Sequence, residues 1–128
     1  MAKILLVEDH AETQDSLTVC LELAGHNVLA AKNGLEALTA MSEETPDVII
    51  TDAIMPELGG LDLVRALRAP QSRFRLTPIL MLTGYYSELA REALRAGADK
   101  VLPKPTDPQA ILATVKVLLE LCDRQYRV

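Results

Sequence analysis

The stretch Lys3-Ile4-Leu5-Leu6-Val7-Glu8-Asp9 combines a short aliphatic run with two acidic residues that follow it at once. The aliphatic part has the length and composition of a strand that is buried on both faces. A similar run, Asp47–Thr51, lies further along the chain and is followed by Asp52. Both stretches therefore predict buried strands with acidic side chains at their carboxyl ends.

Strand-like runs alternate along the chain with longer segments in which apolar residues recur at helical spacing. This alternation predicts repeated βα units and a parallel sheet covered by helices on both faces. We expect a flavodoxin-like, doubly wound (βα)5 fold of the α/β class with strand order 2-1-3-4-5. The five predicted strands are Lys3–Val7, Asn27–Ala31, Asp47–Thr51, Ile79–Leu82 and Asp99–Leu102.

Capping and turn residues support this division. Asn33 and Glu36 have the spacing of a capping box at the start of the second helix. Asp107, which precedes a proline, is a suitable N-cap for the last helix. Gly25 and Gly97 follow helical segments, where a left-handed residue is needed. The elements use the whole chain, so we expect one domain over residues 1–128 with no room for another, and only the stretch 69–78 reads as an irregular loop.

Composition excludes several classes of protein. With 49% hydrophobic residues and only short apolar runs, the chain can bury a core but has no transmembrane helix or signal peptide. A net charge of −5 gives no electrostatic reason to bind nucleic acid or a membrane. Cys20 and Cys122 are too few for a disulfide scaffold, and both fall on helical stripes, where small core residues are expected. We therefore expect a cytoplasmic protein.

Acidic residues lie directly after two of the predicted strands. Glu8 and Asp9 follow the first strand, and Asp52 follows the third. In a sheet of order 2-1-3-4-5 these strands are neighbours where the order reverses, so their carboxyl ends share one cleft. Three bare carboxylates repel one another and need a balancing positive charge. Oxygen ligands favour a hard divalent cation that keeps some waters, and Mg²⁺ is the cofactor we expect.

The ends of the fourth and fifth strands supply the remaining groups of the predicted site. Thr83 offers a hydroxyl, and Lys104 offers a compact, mobile cation. A nucleophilic carboxylate, a magnesium site, a hydroxyl and an ammonium together suit phosphoryl transfer. Catalysis at such a site comes mainly from positioning and charge stabilisation.

At this point the sequence resembles the receiver domains of bacterial two-component response regulators. The resemblance covers essentially the whole chain, and its motifs occur in order at the predicted strand ends. Together they are highly specific, although each motif alone is weak. The motifs are Ile4-Leu5-Leu6-Val7-Glu8-Asp9, Asp52-Ala53-Ile54-Met55-Pro56 with Gly60, Leu82-Thr83-Gly84, and Leu102-Pro103-Lys104-Pro105.

The resemblance implies a role for each of the strand-end residues. Asp52 would be the phosphoacceptor. Mg²⁺ would be held by Glu8, Asp9, the Asp52 carboxylate and the backbone carbonyl of Ile54. The protein would then be a switch whose only chemistry is phosphotransfer to itself and slow self-dephosphorylation, rather than an enzyme that turns over a separate substrate.

The resemblance also implies that Thr83 and Lys104 bind the phosphoryl oxygens. The bond between Lys104 and Pro105 is typically cis in this family. Most receiver domains carry an aromatic residue three positions before the lysine, and its ring follows the threonine on activation. Here that position is Val101, so the ring is missing.

Four further positions modify this expectation. We expect the loop after the fourth strand to shift on activation, with Tyr85 and Tyr86 as its moving bulk. Ile54 and Tyr85 flank the path of the hydrolytic water, and Ile54 cannot orient a water molecule, which predicts slow self-dephosphorylation. Thr106 stands where many relatives have phenylalanine, and we expect only looser local packing there.

Other polar residues have plainer interpretations. His10 is expected to be an exposed residue of the first helical turn rather than a ligand, because magnesium prefers oxygen. The basic cluster of Arg65, Arg68, Arg73 and Arg75 is expected to be solvated, with partner docking as the alternative.

Several functions remain open from the sequence alone. The first is a phosphorylation switch, either stand-alone or a receiver fragment of a larger regulator or hybrid histidine kinase. The second is a magnesium-dependent phosphatase, but the segment Glu8-Asp9-His10 lacks the Asp-x-Asp pair expected there. A flavin or nucleotide module would need a phosphate-binding loop after the first strand, where this acidic segment would repel phosphate. A phosphorylation-independent adaptor is the last alternative.

The expected partners follow from the first function. The phosphoryl group would come from a histidine kinase or a histidine phosphotransfer protein. A downstream protein would bind the face formed by the fourth helix, fifth strand and fifth helix. We expect no direct contact with nucleic acid or membrane, and a monomer or a phosphorylation-dependent dimer.

Overall fold

Five parallel strands alternate with five helices in the computed structural model, which describes residues 2–55, 57–84 and 88–126. Side chains are described as far as residue 121. The strands are β1 (Lys3–Val7), β2 (Asn27–Ala31), β3 (Val48–Asp52), β4 (Ile79–Thr83) and β5 (Lys100–Pro103). The helices are α1 (Ala11–Leu23), α2 (Gly34–Glu43), α3 (Gly60–Leu67), α4 (Glu88–Ala96) and α5 (Pro108–Tyr126).

The strands form one sheet in the order β2-β1-β3-β4-β5, which confirms the predicted fold. The third, fourth and fifth strands each end one residue later than predicted, at Asp52, Thr83 and Pro103. Asp52 pairs with Leu82, and Thr83 pairs with Pro103, so the ladder continues through both polar residues. Asp52 and Thr83 are therefore the last residues of their strands rather than the first residues of the following loops, which fixes their backbones in the sheet.

Helices cover both faces of the sheet because successive residues of each buried strand point to opposite sides. On one face, Leu5, Val7 and Ile49 pack against α2, α3 and α4. On the other face, Ile4 and Ile50 pack against α1 and α5. All five of these strand side chains are fully buried. The hydrophobic effect on both faces thus holds the strand ends, and the residues they carry, in register.

The predicted caps are present. Asn33 Oδ1 accepts a hydrogen bond from Glu36 N at 2.9 Å, while Glu36 Oε1 accepts one from Lys32 N, also at 2.9 Å. Asp107 Oδ1 accepts from the backbone of Gln109, two residues later, at 3.0 Å. Gly25 and Gly97 adopt φ angles of +95° and +122°, as expected for residues that end helices.

The structure corrects the interpretation of the basic cluster. Arg65, Arg73 and Arg75 are exposed as expected, but the Arg68 side chain is only 16% exposed. Arg68 donates to the carbonyl oxygens of Gly97 and Phe74 and to Asp99. Arg73 also has a structural contact, because it donates to the carbonyl oxygen at position 41 at 2.8 Å. Arg68 is therefore part of the fold rather than solvated, and Arg73 is exposed but makes one hydrogen bond to the backbone.

The two cysteines were expected to be small core residues of their helices. Cys20 is half-buried rather than part of the core. It lies at the edge of the apolar face of α1, whose buried residues are Leu17 and Leu21. The side chain of Cys122 lies outside the described residues. Within the described parts of the chain, no helix is both long and apolar enough to span a bilayer.

Gly60 provides a test of how closely α3 starts against the end of β3. A methyl group at Gly60 would overlap the backbone carbonyl oxygen of Asp52, and Gly60 N also donates to Ala53 O at 3.1 Å. We expect Gly60→Ala to lower the free energy of unfolding by about 2 kcal/mol, because neither backbone segment can move without breaking the ladder. Urea unfolding followed by circular dichroism measures this change.

Gly84→Ala is the matched control, since no heavy atom of the described residues lies within 4 Å of a Cβ built at Gly84. Its free energy of unfolding should stay within about 0.5 kcal/mol of wild type. Equal stability of the Gly60 and Gly84 variants would contradict the close approach of α3 to β3.

Candidate functional site

Three carboxylates meet at the carboxyl edge of the sheet. Val7 pairs with Thr51 in the β1–β3 ladder, so the residues that follow them, Glu8 and Asp52, are brought side by side. One carboxylate oxygen each from Glu8, Asp9 and Asp52 lies within 4.8 Å of the others. Glu8 and Asp52 are buried, at 2% and 7% exposure, and Asp9 is exposed. The predicted convergence of these residues is therefore present in the fold.

Lys104, which directly follows β5, completes the site. Its Nζ lies 2.5 Å from Asp52 Oδ1 and 3.2 Å from Glu8 Oε1. The backbone N–H of Lys104 donates to Thr83 O at 2.8 Å, which ties the loop after β5 to the end of β4. The peptide bond between Lys104 and Pro105 is cis, as expected. The ammonium group thus balances part of the charge of the two buried carboxylates.

Burial and charge shift the pKa values of this group in different directions. Burial, opposed by the hydrogen bond from Lys104 and assisted by the nearby Glu8 carboxylate, raises the pKa of Asp52 to about 6. Burial also acts to raise the pKa of Glu8, but hydrogen bonds from His10 N, Asp52 and Lys104 outweigh it and the pKa is lowered. Burial acts to lower the pKa of Lys104, but its contacts with both carboxylates raise it.

The raised pKa of Asp52 has a defined consequence for stability. An acid whose pKa is higher in the folded state binds its proton more tightly there, so it stabilises the fold at low pH. The contribution of Asp52 is complete below its ordinary pKa of 3.8 and is lost as the pH rises through about 6. At neutral pH the ionised Asp52 is therefore a poorly compensated charge. A cation among the three carboxylates would compensate it.

The donor set at this edge fits a hard divalent cation. All three clustered side chains offer carboxylate oxygens, and Asp9 is exposed, so coordinated waters could remain on that side. Ile54, whose backbone carbonyl is the fourth predicted ligand, lies in the loop immediately after Asp52, and its side chain is 65% exposed. Glu8, Asp9 and Asp52 thus form an acidic cluster that can hold a metal ion.

A small pocket lies beside the acidic cluster. Its volume is about 130 Å³, which has room for a few waters or one phosphoryl group. Thr83, which is 2% exposed, and Lys104 lie on its wall together with Asp52. The remaining lining residues are Ala53, Ile54, Leu82 and Gly84. A carboxylate, an ammonium and a hydroxyl-bearing residue therefore surround a space suited to a small anion.

The positions that depart from the family pattern have distinct surroundings. Val101 is buried beneath the site at 8% exposure and pairs with Met81 in the sheet. Thr106 is half-buried, and its Oγ1 donates to Pro103 O at 2.6 Å. The local contact of Thr106 is thus a hydrogen bond that phenylalanine could not make. Tyr85 and Tyr86 lie outside the described residues, so the proposed movement of that loop stays a prediction.

Two polar residues near the site have contacts that sequence reasoning did not identify. His10 is exposed as expected, but it is the N-cap of α1, and its Nδ1 accepts from Thr13 N at 3.4 Å. Its backbone N–H donates to Glu8 Oε2 at 3.0 Å. Gln14 donates from Nε2 to Glu8 O, also at 3.0 Å. Histidine is not among the residues preferred at N-caps, and nothing in the sequence marks Gln14, so neither contact could be found from the sequence.

A wider cleft opens on the other side of Lys104. It has a volume of about 600 Å³ and lies between α1 and the loop that joins β5 to α5. Its walls are largely apolar and include Leu17, Ile111, Pro105 and Thr106. The site is therefore flanked by a surface large enough to receive part of another protein.

Comparison with known proteins finds a consistent set of relatives. A family model described as the response regulator receiver domain matches residues 4–116. The transcriptional regulatory protein CpxR of Escherichia coli strain K12 is 38% identical over 120 residues, which are 93% of this chain and 50% of that protein. The chain spans about half the length of the curated relatives it matches.

Solved structures give the same result over the whole fold. A signal receiver domain of a signal transduction histidine kinase from Syntrophus aciditrophicus is 32% identical with a TM-score of 0.90, covering 100% of this chain and 97% of that one. The chemotaxis protein CheY4 of Vibrio cholerae is 39% identical with a TM-score of 0.86, covering 92% and 98%. Given this match and the acidic cluster at the sheet edge, the chain belongs to the receiver domain family of two-component response regulators.

Proposed function

We propose that this chain is a phosphorylation-dependent switch in which Asp52 accepts a phosphoryl group from a histidine kinase or a histidine phosphotransfer protein. The observation that carries the proposal is the position of Asp52. Its carboxylate is buried, faces a pocket of about 130 Å³, and lies 2.5 Å from the Lys104 ammonium. A carboxylate in contact with a cation stays available as a nucleophile at neutral pH.

The transfer step uses groups that already line the pocket. An Asp52 carboxylate oxygen attacks phosphorus, the new O–P bond forms, and the N–P bond to the donor histidine breaks. The other ring nitrogen of the donor histidine takes up a proton from solvent, so the imidazole leaves as the neutral ring with the electron pair of the broken bond. Lys104 and the Thr83 hydroxyl stabilise the phosphoryl oxygens, so the chain contributes mainly positioning and charge compensation.

Mg²⁺ is the proposed cofactor. The residues that would hold it are Glu8, Asp9 and Asp52, together with the backbone carbonyl of Ile54. When bound, the ion neutralises charge on the carboxylates and on the incoming phosphoryl group. The exposed Asp9 leaves an open side through which the ion and its waters can enter.

The readout of phosphorylation is proposed to be the α4–β5–α5 face. Thr83 ends β4, the strand that leads to α4, and Lys104 follows β5, the strand that leads to α5. A change in the contacts of either residue therefore reaches this face through short connections. Leu94 on α4 and Val117 on α5 are 50% and 52% exposed, and exposed apolar side chains on these two helices suit a downstream protein partner.

The phosphodonor is proposed to approach over the cleft between α1 and the β5–α5 loop. This cleft is continuous with the site because Lys104 lies on the walls of both the cleft and the phosphoryl pocket. Its apolar walls suit a protein surface better than a small charged donor. Cytoplasmic location and the absence of direct nucleic-acid binding stay predictions that rest on composition and on the net charge of −5.

The first test is phosphorylation by acetyl phosphate in the presence of Mg²⁺, followed by intact mass spectrometry. Wild type should gain one phosphoryl group, and Asp52→Asn should gain none, because the amide cannot act as the acceptor. Asp62→Asn, which removes an exposed carboxylate on α3, is the control and should behave like wild type.

Two outcomes would contradict the proposed function. Equal phosphorylation of wild type and Asp52→Asn would exclude Asp52 as the acceptor. Sustained release of phosphate from small phosphate esters, many equivalents per chain, would favour the phosphatase alternative over a stoichiometric switch.

A second test concerns the lifetime of the phosphoryl group. Ile54 is exposed at the rim of the phosphoryl pocket and has no group that can hold a water for attack on phosphorus. We expect Ile54→Asn to shorten the half-life of the phosphorylated protein by roughly tenfold, because the amide can orient that water. The half-life is measured by mass spectrometry after removal of acetyl phosphate.

Ile54→Val is the control for this substitution. It keeps the side chain apolar and should change the half-life by less than about twofold. A phosphoryl half-life for wild type no longer than for Ile54→Asn would show that Ile54 does not limit hydrolysis.

A further inference from the structure

The side chain of Gln14 joins the ends of two strands beside the acidic cluster. From α1, Gln14 Nε2 donates to Glu8 O and to Ala31 O, each at 3.0 Å. Ala31 is the last residue of β2, and its carbonyl also accepts from Glu8 N at 2.9 Å. The amide of Gln14 therefore lies at the junction where β1 turns towards its two acidic residues.

The orientation of this amide is determined by its partners. Both contacts are carbonyl oxygens, which only accept hydrogen bonds, so the NH₂ group and not the oxygen of Gln14 must face them. The residue is partly buried, and losing a partner in such a position leaves a carbonyl poorly satisfied. Gln14 is thus a specific donor rather than a general surface residue.

The hydrogen bond from Gln14 to Glu8 O fixes the orientation of the peptide group between Glu8 and Asp9. The carbonyl of Glu8 and the N and Cα atoms of Asp9 lie in one planar peptide unit. A donor that fixes the direction of the Glu8 carbonyl therefore also fixes where Asp9 begins, although Gln14 does not touch the Asp9 carboxylate. The Glu8 carboxylate is held separately, because its oxygens accept from His10 N and Lys104 Nζ.

We infer that Gln14 is a positioning residue that holds the Glu8–Asp9 peptide in the orientation needed to bind a divalent cation. The inference rests on the proposed function, since it assumes that the acidic cluster binds Mg²⁺. Without Gln14 the peptide plane could rotate, and the cation would have to select one orientation among several. The apparent affinity for Mg²⁺ then falls in proportion to the fraction of molecules that have the correct peptide orientation.

The test is a Mg²⁺ titration of the metal-free full chain, followed by backbone amide NMR signals of wild type and Gln14→Met. Methionine keeps the length of the side chain and removes its donors. We expect Gln14→Met to bind Mg²⁺ about tenfold more weakly, at the low end of the losses seen when residues that support metal ligands are removed. Gln71→Met makes the same change at an exposed site in the loop before β4 and should bind like wild type.

The thermal midpoint of each variant without Mg²⁺ separates positioning from folding. A purely structural role would lower the midpoint of Gln14→Met and leave the Mg²⁺ affinity of its folded fraction unchanged, and that result would overturn the inference. A wild type that shows no response to Mg²⁺ would instead overturn the proposed function, and the inference with it.

A measurement on the wild-type protein covers the case in which Gln14→Met does not fold. The side-chain NH₂ protons of Gln14 should exchange with solvent at least tenfold more slowly than those of the exposed Gln71. Equal exchange rates would show that the Gln14 amide is not held by the two carbonyls and would refute its positioning role.

Discussion

The close approach of the Glu8 and Asp52 carboxylates is the constraint on which the site depends. Two buried acids at neighbouring strand ends repel each other, and burial adds to the cost of ionising Asp52. Lys104 offsets part of this cost through its contacts with one oxygen of each carboxylate. The negative charge that Lys104 leaves uncompensated gives the acidic cluster its affinity for a further cation. The contact with Lys104, which opposes the rise in the pKa of Asp52, favours the ionised carboxylate that attacks phosphorus.

The fold maintains this arrangement against repulsion by fixing the backbone on both sides of it. Asp52 is the last paired residue of β3, and Gly60 brings α3 against its carbonyl. Glu8 is held by its bonds to Ala31 and Gln14. The apolar layers on both faces of the sheet supply the stability that allows a strained electrostatic site at its edge.

The sequence was sufficient to predict features that are encoded locally. Short aliphatic runs identified the strands, and the common strand order of doubly wound sheets then predicted the convergence of Glu8 and Asp52, because parallel strands place their carboxyl ends together. Contacts between residues far apart in the chain were not predictable. Arg68 was expected in solvent, yet it binds carbonyls and Asp99 in segments that only the fold brings near. Gln14 was missed for the same reason, since its partner Ala31 lies in another strand.

The most direct test of the account is a ¹³C NMR titration of the Asp52 carboxyl carbon with and without Mg²⁺. Without the ion, the account predicts a pKa of about 6, above the ordinary value of 3.8. With saturating Mg²⁺ the pKa should fall by more than about one unit, because the cation favours the ionised carboxylate. An ordinary pKa in the absence of the ion, or one that does not change when Mg²⁺ is added, would contradict it.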